Sequence, residues 1–410
     1  MKKNKNKIAF FTSLSLIFLC INIFAQTPFA DFEIVESIPV ETSLDNPEIR
    51  NTAEVWLEMI NGARKTLDIE QFYISNKPGE PLEEIILAIE KAAKRGVKVR
   101  IIVENNMAKT YPETLKQLKE KKNIEVRIIN VFNKNGGVQH SKYFIVDRAE
   151  VFIGSQNFDW RSIKHIHEIG LRIQNKEYGM LMTKLFDIDW RQSRTGKFEK
   201  YASGQKVQRF IINKSDNEFI EFKATASPTN NIPSGFLSDL SEIVKTIDNA
   251  KNSVYVQSLS YSPSARNNIY FEELDNALRR AAIRGVDVRL LVSDWCQKKY
   301  EMPFLKSLSV IPNISVKLST IPEWSGGYIS FSRVEHCKFM VVDDSTTWVG
   351  SSNWKRDYFY SSRNIGIIVK NKKVNETMKN IFLKSWDGTY SWQVKPEVKY
   401  TPKYYGERKR

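Results

Sequence analysis

The chain has 410 residues, 41% of them apolar, enough to bury a sizeable core and to fill two domains or one duplicated domain. That composition excludes a disordered chain, and three cysteines exclude a disulfide framework. The formal charge of +15 favours polyanionic partners, nucleic acid or anionic lipid headgroups, with a solvated lysine-rich surface as the competing reading because the charges are spread along the chain.

In chain order, Lys2, Lys3, Lys5 and Lys7 precede an apolar stretch from Ile8 to Phe24 and a small-residue cleavage site at Ala25-Gln26. Residues 1–26 read as a secretory signal peptide, or as a signal anchor if uncleaved, so an exported protein is expected, periplasmic or secreted. The stretch is interrupted by Thr12, Ser13, Ser15 and Asn22 and is short for a spanning helix of about 20 residues. Leu19 before Cys20 argues against lipidation. Loss of the four lysines leaves +11 on the mature chain, whose only cysteines, Cys296 and Cys337, allow at most one bridge.

The rest is duplicated. Thr66 to Ile74 and Ser253 to Tyr261 read as first strands, and Glu83 to Arg95 and Phe271 to Arg284 as the helices that follow. Ala93 to Val103 matches Ala282 to Val292 as a helix end, a Gly stop and a buried strand. Strand, helix, strand is a parallel crossover. Each half then closes with a hairpin and a helix containing Trp190 or Trp386. The expected fold is α/β, with two similar α-β-α sandwich lobes related by a pseudo-twofold axis and an active site at their interface. The lobes span residues 27–200 and 218–395, with a linker at 201–217 and a basic tail at 396–410.

The hairpins carry the chemistry. His140-Ser141-Lys142 returns as His336-Cys337-Lys338, and Gly154-Ser155-Gln156-Asn157 as Gly350-Ser351-Ser352-Asn353. Residues i and i+2 of a strand share a face, so each His projects beside its Lys while Ser141 and Cys337 turn away. Two imidazoles can attack a phosphorus and protonate its leaving oxygen, and Lys142, Lys338, Asn157 and Asn353 can neutralise the non-bridging oxygens. No metal or other cofactor is needed. Asp147 and Asp343 fall in hairpin turns and read as structural, with Ser155 and Ser351 as motif residues beside them. His165 and His167 lie outside the repeat, are expected at the solvent edge, and are poor evidence for zinc. Phe72, Tyr73 and Tyr261, just past the first strands, are candidate stacking platforms for substrate, with core packing as the competing reading.

The two phrases resemble the paired His-x-Lys-x-x-x-x-Asp motifs of the phospholipase D superfamily. Glu36-Ser37-Ile38-Pro39, Asp159-Trp160-Arg161-Ser162, His167-Glu168-Ile169-Gly170, Ser352-Asn353-Trp354 and Ser385-Trp386-Asp387 are most similar to its lysosomal three/four branch. The resemblance implies a metal-independent phosphodiesterase with a phosphohistidine intermediate. For that branch it implies a 5′-exonuclease on single-stranded DNA or RNA, with phospholipid transphosphatidylation as the alternative and a non-catalytic binding module behind both. Partners are then single-stranded nucleic acid or phospholipid, with peripheral membrane contact if lipid is the substrate, and the oligomeric state stays open. In the superfamily an acidic residue often stands 28 positions after the motif histidine and orients its ring. Glu168 meets that spacing from His140, whereas Asn364 occupies it after His336. His140 is therefore expected to be the nucleophile and His336 the acid and then the base.

Overall fold

Tyr143–Val146 and Lys338–Val342 are buried at every position, which strands achieve only when both faces of their sheet are covered. A computed structural model describes residues 31–201, 206–215, 218–265 and 269–407; residues 1–26, expected to be a signal peptide or anchor, lie outside them. In the first lobe an eight-stranded sheet runs Arg50–Asn51, Phe32–Ser37, Glu168–Gln174, Glu150–Gly154, Tyr143–Val146, Thr66–Gln71, Lys98–Glu104, Ile124–Ile129. The second lobe repeats its core as Glu218–Ala226, Ile365–Lys370, Thr346–Gly350, Lys338–Val342, Ser253–Ser258, Asp287–Ser293, Ile314–Ser319. In both, the crossover strands pair in parallel, Thr66 with Lys98 and Ser253 with Asp287, and the hairpin pairs antiparallel.

Alternation distributes the side chains. Tyr143, Ile145, Phe339 and Val341 enter one central core shared by both lobes, while Phe144 and Val146, and Met340 and Val342, enter two outer cores. The central core is completed by the helices Lys176–Thr195 and Lys372–Asp387, which carry Trp190 and Trp386. Their starts are equivalent: Asn175 accepts from the Tyr178 amide and Asn371 from the Val374 amide, each at 2.9 Å. The helices Thr52–Gly62 and Leu82–Lys94 cover the outer face of the first sheet, and Asp239–Asp248 and Glu272–Ile283 that of the second.

Asp147 and Asp343 point their carboxylates at backbone amides. The Asp147 carboxylate accepts from the amides of Arg64, Lys65 and Thr66 at 2.9, 2.7 and 2.8 Å, tying the hairpin turn to the start of the first strand. Asp343 does the same for Lys251, Asn252 and Ser253. The region expected as a linker contains an edge strand, Arg209–Ser215, paired with Glu218–Ala226. The tail also folds back: Tyr405 stacks on Trp295 with centroids 4.0 Å apart, and Lys403 pairs with Asp294 at 2.7 Å. Among the described residues no helix is long and apolar enough to cross a membrane.

Candidate active site

His140 and His336 stand just before the strands that carry their phrases. Each amide is held by the opposite lobe: His140 N donates to the Arg363 carbonyl at 2.8 Å and His336 N to the His167 carbonyl at 2.9 Å. The side chains cross as well. Nδ1 of His336 bonds Glu168 of the first lobe, and Nδ1 of His140 lies 3.0 Å from Oδ1 of Asn364 in the second. The Asn364 amide is fixed by its Nδ2, which donates to the Tyr358 carbonyl at 2.7 Å, so its oxygen faces the ring and Nδ1 carries the proton. Both imidazoles are thus left to present Nε2.

This overturns one expectation. The carboxylate 28 residues after His140 does not orient His140. The strand carrying Glu168 runs antiparallel beside Phe32–Ser37 and Glu150–Gly154, and its N-terminal end meets the second lobe, where His167 and Glu335 pair as a parallel bridge. Spacing within a half gave the right residue and the wrong partner.

Local packing explains how Glu168 arrives there. A Cβ on Gly154 would sit 2.7 Å from the Gly170 Cα and 2.8 Å from the Ile169 carbonyl, so only glycine lets the two strands close up at this point. Ser155 then accepts from the Ile169 amide at 3.2 Å, as Ser351 does from Ile365. Ser162 donates its hydroxyl to Glu168. The motif serines therefore brace the strands that present Glu168 and Asn364.

Lys142 and Lys338 are fully buried, and each Nζ donates to the carbonyl of its own histidine, His140 or His336, at 2.7 Å. Burial pushes the Lys142 ammonium well below its usual value, and the Lys338 ammonium to about 7 despite the opposing pull of Glu168. Burial, Lys142 and Lys338 push His140 down; burial, Lys338, Lys142 and then His140 push His336 down. Groups from both lobes act on both rings, so the two half-sites form one buried, lysine-lined site. The Glu168 carboxyl is pushed up by burial, against the Ser162 hydrogen bond and the two lysines. Asn157 and Asn353 are buried, and the Oδ1 of each has no hydrogen-bond partner among the described residues.

The aromatic candidates divide. Phe72 lies against His140 with centroids 4.9 Å apart, under Lys142. Tyr73 is a step further out, donating to Asp159 at 2.7 Å and stacked on Tyr111. Tyr261 is no platform: it is 1% exposed, sits in the outer core and bonds Asp275. Its ring fills the place an apolar residue would, and the hydroxyl finds a buried acceptor. Tyr358, 4.8 Å from His140 on the ring edge, was missed because nothing in the first half matches it; Ser162 stands at the equivalent position.

His165 and His167 are not at a solvent edge. Both are fully buried, His165 between Trp160 and Trp324, and His167 between Glu335 at 2.8 Å and Glu36 at 3.0 Å. They lie where the lobes meet, which a reading of each half alone cannot see. Cys296 and Cys337 are buried and free, so the permitted bridge is not made.

Fold and site together define a class, a duplicated α/β phosphodiesterase with one catalytic site between its halves. A family model described as "Cardiolipin synthase, PLD-like domain" matches residues 56–190 and 243–386, and the chain belongs to the phospholipase D superfamily. It is 31% identical to a probable phospholipase D of Caenorhabditis elegans over 87% of this chain and 70% of that one. It is 30% identical to the 5′-3′ exonuclease PLD3 of Macaca fascicularis over 87% of this chain and 79% of that one. The solved phosphatidylserine synthase of Haemophilus influenzae shares the fold, with a TM-score of 0.61 at 12% identity over 89% and 87% of the two chains.

Proposed function

We propose that the protein is an exported 5′-exonuclease on single-stranded DNA or RNA, working through a phosphohistidine on His336. The observation that carries the role assignment is the carboxylate on Nδ1 of His336 against the amide on Nδ1 of His140. Nucleophilic attack through Nε2 builds positive charge on the ring, and a carboxylate stabilises that charge where an amide does not. His336 Nε2 forms the bond to phosphorus while the P–O bond to the leaving group breaks. His140 gives that oxygen its proton, then takes one from water, whose oxygen displaces His336 from phosphorus. Lys142, Lys338, Asn157 and Asn353 face the non-bridging oxygens as charge gathers there.

Substrate choice rests on the likeness to a relative named as a 5′-3′ exonuclease and on the +11 balance, which suits a polyphosphate strand. Export rests on the sequence of residues 1–26. A relative named as a phospholipase D supports the second reading, headgroup release or exchange on phospholipid. The test offers mature protein a 5′-hydroxyl single-stranded oligonucleotide and phosphatidylglycerol vesicles side by side. Stepwise release of mononucleotides from the 5′ end is expected. An intact oligonucleotide alongside released headgroup would replace this reading with the second.

A further inference from the structure

Two backbone crossings join the lobes beside the catalytic histidines, and the duplication makes them equivalent. At one, Arg363 N donates to the Val138 carbonyl at 2.9 Å, its own carbonyl receives His140 N, and Gln139 and Arg363 pair as a parallel bridge. At the other, His167 N donates to the Val334 carbonyl at 3.1 Å, its carbonyl receives His336 N, and His167 and Glu335 pair in the same way. Each crossing therefore carries one basic residue, immediately before Asn364 or Glu168, the residue that orients the other lobe's histidine.

Both basic residues are fully buried and both span the lobes. Arg363 holds Asp189 of the first lobe at 2.9 and 3.2 Å. His167 holds Glu335 of the second lobe through Nδ1 at 2.8 Å and Glu36 of its own lobe through Nε2 at 3.0 Å. Glu36 is in turn held by the Asn46 amide at 2.8 Å. An imidazole with a carboxylate on each nitrogen donates twice, and one that donates twice carries a charge. Burial pushes this ring down; Cys337 beside it is itself pushed well above the ordinary thiol range by burial and stays neutral, so it is the ionised Glu335 that holds the ring well above its ordinary value. Glu335 is correspondingly held below the usual carboxylate range, its burial outweighed by His167.

We infer that His167 is a positioning residue, an imidazolium latch between Glu36 and Glu335 that fixes the lobe register in which Glu168 meets His336. The latch acts at one covalent remove on both partners: His167 precedes Glu168, and Glu335 precedes His336. This rests on His336 being the nucleophile. The donor atoms of His167, Glu335 and Cys337 also lie within 4.8 Å of one another, near enough to suggest a metal. A doubly donating imidazole has no lone pair to give one.

The test compares His167→Gln, which removes the charge, with His167→Lys, which keeps it, in the full mature protein. Rapid quench should show adduct formation on His336 slowed on the order of tenfold to a hundredfold in His167→Gln, with ordinary and activated leaving groups alike. His167→Lys should recover most of that rate. Thermal midpoints identify a variant that has merely unfolded, and nitrogen NMR of the wild-type protein, expected to show both His167 ring nitrogens protonated at neutral pH, decides the matter without any variant. A folded His167→Gln with the wild-type adduct rate, a neutral His167 ring, or stoichiometric zinc in the purified protein that His167→Gln loses would each overturn the latch. An adduct on His140 would overturn the role assignment instead, and is read separately from the rate comparison.

Discussion

Glu168 of the first lobe bonds Nδ1 of His336 in the second, so the carboxylate that serves one half's histidine is carried by the other half. Neither lobe holds a complete catalytic set. The counterpart pair, Asn364 on His140, is uncharged, and the site has a built-in polarity that the repeated phrases conceal.

Replacing Glu168 with Gln should therefore slow attack at phosphorus. Loss of a charged partner to a buried hydrogen-bonded ring costs about 1.5–3 kcal/mol, or on the order of tenfold to a hundredfold in adduct formation. Asn364→Ala, which frees the His140 ring, should spare substrates whose leaving group needs no proton. Stopped-flow release of p-nitrophenol and of a nucleoside from matched diesters separates the two. Equal effects of both variants on both substrates would count against distinct roles.

Activity should peak on the acidic side. Lys338 at about 7 loses its proton as pH rises through that value, and with it the charge that receives the phosphate. His336, pushed below its usual value, remains a neutral nucleophile in mild acid, while the protonated share of His140 grows as pH falls. Lys338 thus places a descending limb of kcat/KM near neutrality, His140 draws it further to the acid side, and His336 sets the ascending limb in acid. A rate that climbs from neutral to alkaline pH would contradict these directions.

Turnover should survive EDTA, because two lysines and two asparagines already supply positive charge and donors at the phosphate. Loss of activity on chelation, restored by zinc, magnesium or calcium, would contradict that role for them.

Asp147→Ala should weaken the fold and leave the chemistry alone. Three backbone donors lose their carboxylate, and the residue sits at φ 51°, where alanine is strained. A loss of about 2–4 kcal/mol is expected, discounted for the partial exposure of the turn, with Asp147→Asn milder because Asn tolerates that backbone. Chemical denaturation of the two variants beside Asp343→Ala checks this; unchanged midpoints would show the clamps to be idle.

Much of this was legible in the sequence, because duplication turns a weak local signal into a strong one. The crossover strands, both long helices and the place of Asp147 and Asp343 in hairpin turns follow from apolar runs and turn residues that appear twice. What stayed hidden lies between the halves. The Glu168 to His336 bond, the His167 latch and the edge-on approach of Tyr358 to His140 each join residues of different lobes, and periodicity within one lobe carries no information about them. Tyr261 went astray for another reason: a residue just past a strand can turn outward to the site or inward to the core, and only its buried partner Asp275 decides.

The central claim is that His336 bears the covalent phosphate and His140 handles the proton. Its most direct test is mass spectrometry of His140→Ala protein, quenched and kept at alkaline pH where a phosphorus–imidazole bond survives, after exposure to a diester with a p-nitrophenolate leaving group, which needs no general acid and whose adduct the variant cannot hydrolyse efficiently. The account predicts a phosphoryl adduct on the peptide containing His336, and none forming in His336→Ala. An adduct on His140 in His336→Ala, with His140→Ala left unmodified, would contradict it.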